Sequence, residues 1–398
     1  MMRQIPQAKK KFIYDYSLII FILIIATISI ISIYLADPIM ASNLRGSNLW
    51  QKQLMWYIIS FIVCYFLIKL GVDRLFTAVS IFYWILIGLL VLLLIDKFLF
   101  NLPDLFIRPI NGTTAWIILP KIGSIQPSEF MKVVLILQCS NVIYNHNLEK
   151  NAMSFSSDFE LFFKILKVIT LPLILIVLQP DTGIPIVIVV SIATMLMIGG
   201  IRKEWIWIGL IFVVLLFATV LYLFYFHPSL LGKLMGSSYK LQRFYGWLQT
   251  DKYYLTYGNQ LYTSIAALGS GGLNGHALNQ LVISFAEPQT DFIFAVIGQN
   301  FGFIGTSLVV VIITIFDIKL IDIAMNHKSE KEKIMMAGLL GMLIFQQIQN
   351  ISMIIGLLPI TGITLPLISY GGSSIMSYFI PFAIVFYMAS ENKLALKH

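Results

Sequence analysis

The sequence is poor in charged residues. Asp, Glu, Lys and Arg make up 12% of its 398 residues, whereas soluble globular domains carry about a quarter. Hydrophobic residues make up 58% and aromatic residues 14%, so too few polar side chains remain to cover a water-soluble fold. The composition therefore excludes a soluble globular protein and indicates a chain whose main solvent is lipid.

Cysteine and nucleotide-binding motifs are equally scarce. Cys64 and Cys139 both lie inside apolar runs, which argues against a disulfide framework and against a thiolate metal site. The chain has no Walker sequence, no GxGxxG after a strand and no HExxH helix, so nucleotide and zinc chemistry lack a motif. In so apolar a chain, the net charge of +8 points to anionic headgroups rather than to nucleic acid.

Ten apolar stretches come close to the roughly 20 residues that a helix needs to cross the hydrocarbon core. They lie at 17–35, 54–70, 75–95, 126–144, 161–178, 184–200, 205–226, 292–316, 334–356 and 374–390. We therefore predict an all-α polytopic membrane protein with about ten transmembrane helices, in which residues 1–398 form one integral-membrane domain. No small-residue cleavage site follows the first stretch, which we interpret as a retained span.

The distribution of basic residues predicts the orientation. With the N-terminus inside, the clusters Lys9–Lys11, Arg202–Lys203 and Lys328–Lys333 are cytoplasmic, as the positive-inside rule requires. Ten spans then return the C-terminus to the cytoplasm. The longest connection, 227–291 between spans 7 and 8, becomes a large extracytoplasmic loop, and its Tyr, Trp, Gly and Leu content is not that of a disordered linker. We expect function on the outer face.

Carboxylates at the predicted outer face are the first catalytic candidates, since no span carries a convincing charge near its middle. They are Asp37, Asp96, Asp104, Glu129, Asp181, Asp251, Glu287 and Asp291. Asp291 differs from the rest because the polar turn 287–290 gives way directly to an apolar span, which leaves its carboxylate partly desolvated. Such an acid suits a general base acting on a hydroxyl. Capping of the following helix is the alternative.

The other candidates each have a structural alternative. Glu129 and Lys132 are three residues apart, so on a helix they share a face and are expected to form a structural salt bridge. Asp181 lies in a polar break that a tight turn would need anyway. Arg243 could hold a phosphate bidentately or anchor at the headgroups. The Gly-rich stretch 269–275 could approach a phosphate or sugar closely, or form plain turns.

Six segments in order along the chain resemble motifs of one membrane-protein family, the SEDS proteins (shape, elongation, division and sporulation), which include RodA and FtsW. Gln126, Pro127 and Ser128 begin the first motif, Asp181 lies in the second, and Ser369, Gly371, Gly372 and Ser373 lie in the last. The six segments are Gln126–Lys132, Gln179–Gly183, Gln260–Gly275, Thr290–Ala295, Gly356–Gly362 and Leu365–Ser374.

The resemblance implies a SEDS fold and a peptidoglycan glycosyltransferase that polymerises lipid II at the outer face of the bacterial membrane, with undecaprenyl diphosphate as the leaving group. It also implies a class B penicillin-binding protein as partner, beside other membrane proteins of the elongation machinery. Asn111–Gly112 before Trp116, and the ending Pro359–Gly362, resemble the RodA elongation branch. The chain departs from many members at Ala115, where they are basic, and at Gln299 and Asn300, where they are acidic.

Under this resemblance, Asp291 is the essential acid and serves as base or as a metal-assisted activator of the hydroxyl, with a divalent cation such as Mg²⁺ or Mn²⁺ held partly by it. Arg243 and Lys132 are the predicted diphosphate contacts, and Gln260 and Ser264 are further substrate-binding candidates. Two other functions stay open from the sequence. One is a lipid II flippase, and the other is a non-catalytic scaffold for a penicillin-binding protein.

Overall fold

The structure is a computed structural model that describes residues 12–97, 114–119, 123–150, 152, 154–235, 238–276 and 283–396. Its described part is almost entirely helical. The elements in chain order are α1 Tyr16–Ala36, α2 Leu49–Leu70, α3 Val72–Ile95, β1 Ile117–Leu119, β2 Gly123–Ile125, α4 Pro127–Glu149, α5 Phe155–Leu178, α6 Gly183–Ile198, α7 Lys203–Phe226, α8 Pro228–Met235, α9 Ser238–Leu248, α10 Asn259–Ser270, α11 Ile293–Met325, α12 Glu330–Ile354 and α13 Gly372–Ala395.

Three groups of residues that the sequence analysis named lie outside the described residues: Asn111–Gly112, Asp104 and Lys9–Lys11.

The strands β1 and β2 pair antiparallel, with Ile117 opposite Ile125 and Leu119 opposite Gly123, and they lead the chain into α4. Their short ladder places the start of α4, where Pro127 occupies the first turn as its fixed φ allows.

Seven helices within the described ranges are long and apolar enough to cross a bilayer, namely α1, α2, α3, α5, α7, α12 and α13. The prediction of an all-α polytopic membrane protein is therefore confirmed. The three other predicted spans coincide with α4, α6 and α11, and α6 is only 16 residues long. The count of ten spans stays a prediction.

The centre of the bundle is formed by α12 and α13, whose faces are buried by α4, α6, α2 and α11. Small residues explain the close contact of α12 with α6. A Cβ at Gly338 would lie 2.6 Å from Met195 Sδ. The Ser191 hydroxyl donates to the Gly338 carbonyl at 2.7 Å, and Thr194 Oγ1 donates to Ala337 O at 3.0 Å. Small and hydroxyl side chains are what membrane helices use to approach one another.

Helix α7 lies at the edge of the bundle. Among its residues Phe224 alone is buried, and its ring packs 5.0 Å from the ring of Tyr245 in α9. Phe217 contacts Trp247 in the same way, with ring centroids 6.4 Å apart. Because nearly every apolar side chain of α7 is exposed, we infer that lipid surrounds this helix.

The described part of the long connection 227–291 contains three short helices, α8, α9 and α10. The Gly-rich stretch 269–275 packs against α11, whose backbone kinks at Gly302 with φ of +61°. The carbonyls of Gly272 and Leu273 accept the N–H groups of Phe303 and Ile304 at 2.9 and 3.1 Å. These bonds satisfy donors that the kink leaves without a helical partner. The glycines therefore serve close backbone packing, which neither sequence alternative had specified.

Gly271 tests this packing. An added Cβ at Gly271 would overlap the Gly298 carbonyl of α11, whereas at Gly269, two residues earlier, nothing lies within 4 Å. We expect Gly271→Ala to cost about 1–3 kcal/mol of stability through overpacking. Gly269→Ala should be neutral or stabilising by up to about 1 kcal/mol, since Ala favours helix. Thermal unfolding of the two purified variants in detergent measures this, and equal melting temperatures would contradict it.

Candidate functional site

One end of the bundle gathers the segments that carry the motifs. Gln126 Nε2 donates to Asp181 Oδ2 at 2.9 Å, which joins the start of α4 to the turn before α6. Ser369 Oγ donates to the Thr290 carbonyl at 2.7 Å and joins the segment before α13 to the residue before Asp291. Motifs that are far apart in sequence thus meet at a single place, which we call the motif end of the bundle.

Asp291 lies at the motif end, directly before α11. The preceding turn is held by the Glu287 carboxylate, which accepts from Gln289 Nε2 at 2.9 Å and from Thr290 Oγ1 at 3.2 Å. Phe292, not Asp291, is the N-cap residue of α11, and no side chain caps that helix. The capping alternative for Asp291 therefore does not describe its carboxylate.

Burial makes Asp291 a weak acid. Desolvation and the nearby Glu287 carboxylate raise the pKa of Asp291 to about 7, while the Arg243 guanidinium acts in the opposite direction. A carboxylate with a pKa near 7 is poised to accept a proton and return it at neutral pH. The cause is the position of Asp291 just before the apolar helix α11, near the Glu287 carboxylate and the Arg243 guanidinium.

The segment 359–363 lies beside Asp291. A Cβ at Gly362 would lie 3.6 Å from Asp291 Oδ2, and φ of +77° at Gly362 is a conformation that favours glycine. Arg243 Nη1 donates to the Ile360 carbonyl at 3.2 Å. Helix α9 therefore brings a guanidinium to the same segment that faces the Asp291 carboxylate.

Asp181 lies near the same segment, 359–363. Its Oδ1 accepts from the backbone N–H groups of Gly183 and Ile184 at 3.2 and 3.3 Å, so it caps the start of α6. A Cβ at Gly183 would lie 3.1 Å from the Ile363 side chain. Burial and the Glu129 carboxylate raise the pKa of Asp181, against the bonds from α6. A residue that the sequence assigned to a turn is thus a partly buried acid.

Glu129 and Lys132 form an ion pair inside the bundle, with Nζ 2.7 Å from Oε2 and the lysine side chain 1% exposed. Lys132 Nζ also donates to the Tyr378 hydroxyl at 3.2 Å, and that hydroxyl donates to Gln346 Oε1 at 2.8 Å. The ammonium therefore has an anionic and a phenolic partner. These bonds connect α4 to α12 and α13 below the motif end.

The two predicted substrate-binding residues of α10 differ in exposure. Gln260 is exposed, whereas Ser264 is buried and donates to the Leu261 carbonyl of its own helix at 2.9 Å.

The predicted motif residues are packed against other helices. Gly371 N–H donates to Gln53 Oε1 at 3.2 Å, and a Cβ at Gly372 would overlap the Trp56 ring. The residues Pro127, Ser128, Ser369 and Ser373 are buried. Most of the motif residues thus hold the motif end together.

Sequence reasoning missed the amides of α12. Gln346, Gln347, Gln349 and Asn350 are all buried, in a helix apolar enough to span a membrane. The signal was present, because polar residues are expensive in a span and mark functional or packing sites. The search for charged groups alone passed over them. It also placed Asp317 beyond the eighth span, whereas Asp317 is buried within α11 and accepts from Gln347 Nε2 at 3.3 Å.

The residues around Asp291 suit a hard cation better than a soft one. Asp291 and Glu287 supply carboxylate oxygens, which Mg²⁺ and Mn²⁺ prefer. Among the described residues, three side chains of metal-ligating type come together elsewhere, at the far end of α11: His327, Glu332 and Glu391. His327 contacts Glu332. Burial lowers the pKa of His327, but the Glu332 carboxylate raises it, and the net result is a raised pKa. A cation at Asp291 would be held partly by its carboxylate and otherwise by oxygens of its ligand.

The fold and the site define a class of protein. It is a multi-pass helical membrane protein in which the partly buried Asp291 carboxylate, the Arg243 guanidinium and the turn at Gly362 meet at one end of the bundle. Residues 15–394 match the cell cycle protein family of FtsW, RodA and SpoVE. The chain belongs to this family, so the resemblance to SEDS proteins is confirmed. Its membership and its seven apolar helices make it a multi-pass bacterial membrane protein.

Relatives cover nearly the whole chain. Stage V sporulation protein E of Bacillus subtilis is 31% identical over 375 residues, which are 92% of this chain and 94% of the relative. The peptidoglycan glycosyltransferase MrdB of Helicobacter pylori is 30% identical over 354 residues, 87% of this chain and 83% of the relative.

Solved structures share the fold. Rod shape determining protein RodA of Thermus thermophilus has a TM-score of 0.64 at 21% identity, over 95% of this chain and 97% of its own. A chain from a structure on the coordination of polymerization and crosslinking by a peptidoglycan synthase complex has a TM-score of 0.71 at 24% identity, over 94% of this chain and 96% of its own.

Proposed function

We propose that this protein is a peptidoglycan glycosyltransferase that polymerises lipid II. The observation that carries the proposal is the Asp291 carboxylate, which burial and Glu287 bring to a pKa of about 7 beside the Arg243 guanidinium. Several relatives bear the matching name, including MrdB of Helicobacter pylori and the probable FtsW of Buchnera aphidicola, which is 31% identical over 87% of this chain.

The chemistry needs a base and a charge clamp. A sugar hydroxyl of one substrate attacks the anomeric carbon of the other, a new C–O bond forms, and the bond from that carbon to the diphosphate oxygen breaks. Asp291 accepts the hydroxyl proton through its carboxylate oxygen, and the electron pair leaves with undecaprenyl diphosphate. The proton goes to Asp291 and the negative charge goes to the leaving diphosphate, so the step is balanced in atoms and in charge.

The leaving diphosphate requires a positive partner. Arg243 has the geometry for it, since its guanidinium reaches the segment 359–363 beside Asp291. Lys132 is 1% exposed and paired with Glu129, which favours a supporting role and places Arg243 ahead of it as the diphosphate contact. A bound Mg²⁺ or Mn²⁺, held partly by Asp291, would neutralise further diphosphate charge. Gln260 and Ser264 stay candidates for contact with the sugars.

The finer features of the function also belong to this proposal. We place the motif end at the outer face of the membrane, with both termini in the cytoplasm, because the basic clusters then lie inside. The segment 227–291 then becomes the large extracytoplasmic connection. The ending Pro359–Gly362 favours a role in elongation and cell shape.

Polymerisation of labelled lipid II by the purified protein is the direct test. We expect glycan strands that a muramidase digests, formed with the partner present. A protein that moves lipid II across vesicle bilayers and forms no glycan under any condition would be a flippase, and one that does neither would be a scaffold. Either result would overturn the proposed function.

We expect a class B penicillin-binding protein to activate the polymerase. The chain has no soluble domain for peptide crosslinking among its described elements, and the outer connection with α8 to α10 borders Asp291. A partner span has an apolar surface available on α11, where Leu308, Val311 and Ile315 are exposed along one face. Partner binding there could reorder the site.

Titration of the partner into a lipid II assay measures this activation. The rate should rise with partner concentration and saturate. A Leu308→Arg variant should require more partner for the same rate, while Leu210→Arg on the exposed α7 serves as the matched control. A full rate without partner, unchanged at saturation, would reduce the interaction to co-localisation.

A further inference from the structure

Two neighbouring amides of α12 connect that helix to the candidate site. Gln349 Nε2 donates to the Pro359 carbonyl and to Thr361 Oγ1, both at 3.2 Å. Asn350 Nδ2 donates to the carbonyls of Asp291 and Ile363, both at 2.8 Å. Helix α12 thereby binds both ends of the segment 359–363.

Asn350 is the residue that holds the two sides of the site together. Its side chain is fully buried, and a primary amide has two N–H donors. One donor goes to the backbone of Asp291 and the other to the backbone next to Gly362. Asn350 therefore ties the backbone of Asp291 directly to the segment 359–363.

We propose that Asn350 is a positioning residue for Asp291, which sets the carboxylate of the general base against the segment 359–363 without contacting the substrate. This proposal rests on the proposed glycosyltransferase function. The physical reason is that the buried Asn350 side chain ties the backbone of the base to the segment beside it, and a shift of about 1 Å of the base can cost roughly 100-fold in rate.

Asn350→Asp is the sharpest test because it preserves size and shape and replaces both donors with acceptors that face two carbonyls. We expect kcat of the partner-activated polymerase to fall about 100-fold, with KM changed by less than about threefold, since substrate contacts stay in place. Asn350→Ser, which is smaller and keeps one donor, should fall less. Gln347→Leu is the matched control on the same buried face, and it should alter melting temperature rather than kcat.

The effects on kcat and KM separate positioning from stability. A displaced base lowers kcat per folded molecule and leaves KM within about threefold. A substitution that only destabilised the fold would lower the active fraction and leave kcat per folded molecule unchanged.

The outcomes are distinguishable. If the wild type makes glycan and the Asn350 variants keep an unchanged kcat per folded molecule, the positioning role alone is overturned. Losses that track the folded fraction, measured by thermal unfolding in detergent, would assign Asn350 to stability and overturn it as well. A wild type that makes no glycan would overturn the proposed function and the positioning role with it.

Discussion

Asp291→Asn should abolish polymerisation of lipid II while the protein stays folded. Asn is isosteric with Asp but has no basic oxygen to accept the hydroxyl proton, and general base catalysis contributes about 100- to 10,000-fold. The fold should survive because the Asp291 carboxylate caps no helix. The measurement is glycan formation by purified, partner-activated protein, with melting temperature recorded alongside. A variant that polymerises at the wild-type rate would remove Asp291 from the mechanism.

The pH dependence of the wild type follows from the same group. A base must be unprotonated to act, so a pKa of about 7 predicts that kcat falls as pH drops through about 7 and levels off above it. Asp181→Asn is the contrast. Asn keeps an oxygen for the N–H groups of Gly183 and Ile184 but loses the charged acceptor of Gln126. We expect partial loss of activity and an unmoved acid limb.

Lys132→Met should be the most destabilising of the substitutions considered. Removing the ammonium leaves the Glu129 carboxylate buried without its partner, and breaking a buried pair costs about 3–5 kcal/mol. The double variant Glu129→Gln, Lys132→Met removes both charges and leaves Tyr378 its bond to Gln346. It should therefore retain more folded protein than the single variant.

Thermal unfolding in detergent compares the variants. Lys164→Met is the matched control, since Lys164 pairs with Glu160 at 2.9 Å on the half-exposed surface of α5. Exposed pairs contribute about 0–1 kcal/mol, so this variant should melt close to the wild type. Equal stability of the Lys132 single and double variants would show that the pair carries no buried charge.

The class of the protein could be predicted from its composition and from the order of the motifs along the chain. Low charge and long apolar runs leave a chain no solvent but lipid, and lipid permits only helices or closed barrels. Six motifs in family order then indicated the family and singled out Asp291. The spacing of Glu129 and Lys132 predicted their pair, because a helix places residues three apart on one face.

Other features required the fold. Nothing in the local sequence shows that Gly271 packs on Gly298, or that the segment 359–363 lies near both Asp181 and Asp291. Helix-period patterns describe which face of a helix is apolar, but not which distant segment covers it.

The sequence by itself thus determined a helical membrane protein of this family with Asp291 as its leading acid, because hydrophobicity and short motifs are local properties of the chain. The tertiary structure alone decided that Lys132 is sealed inside the bundle and that Arg243 reaches the turn beside Asp291. It also decided that Asn350 holds both sides of the site. Burial and hydrogen-bond partners are set by residues far apart in sequence, and only the packed helices bring them together.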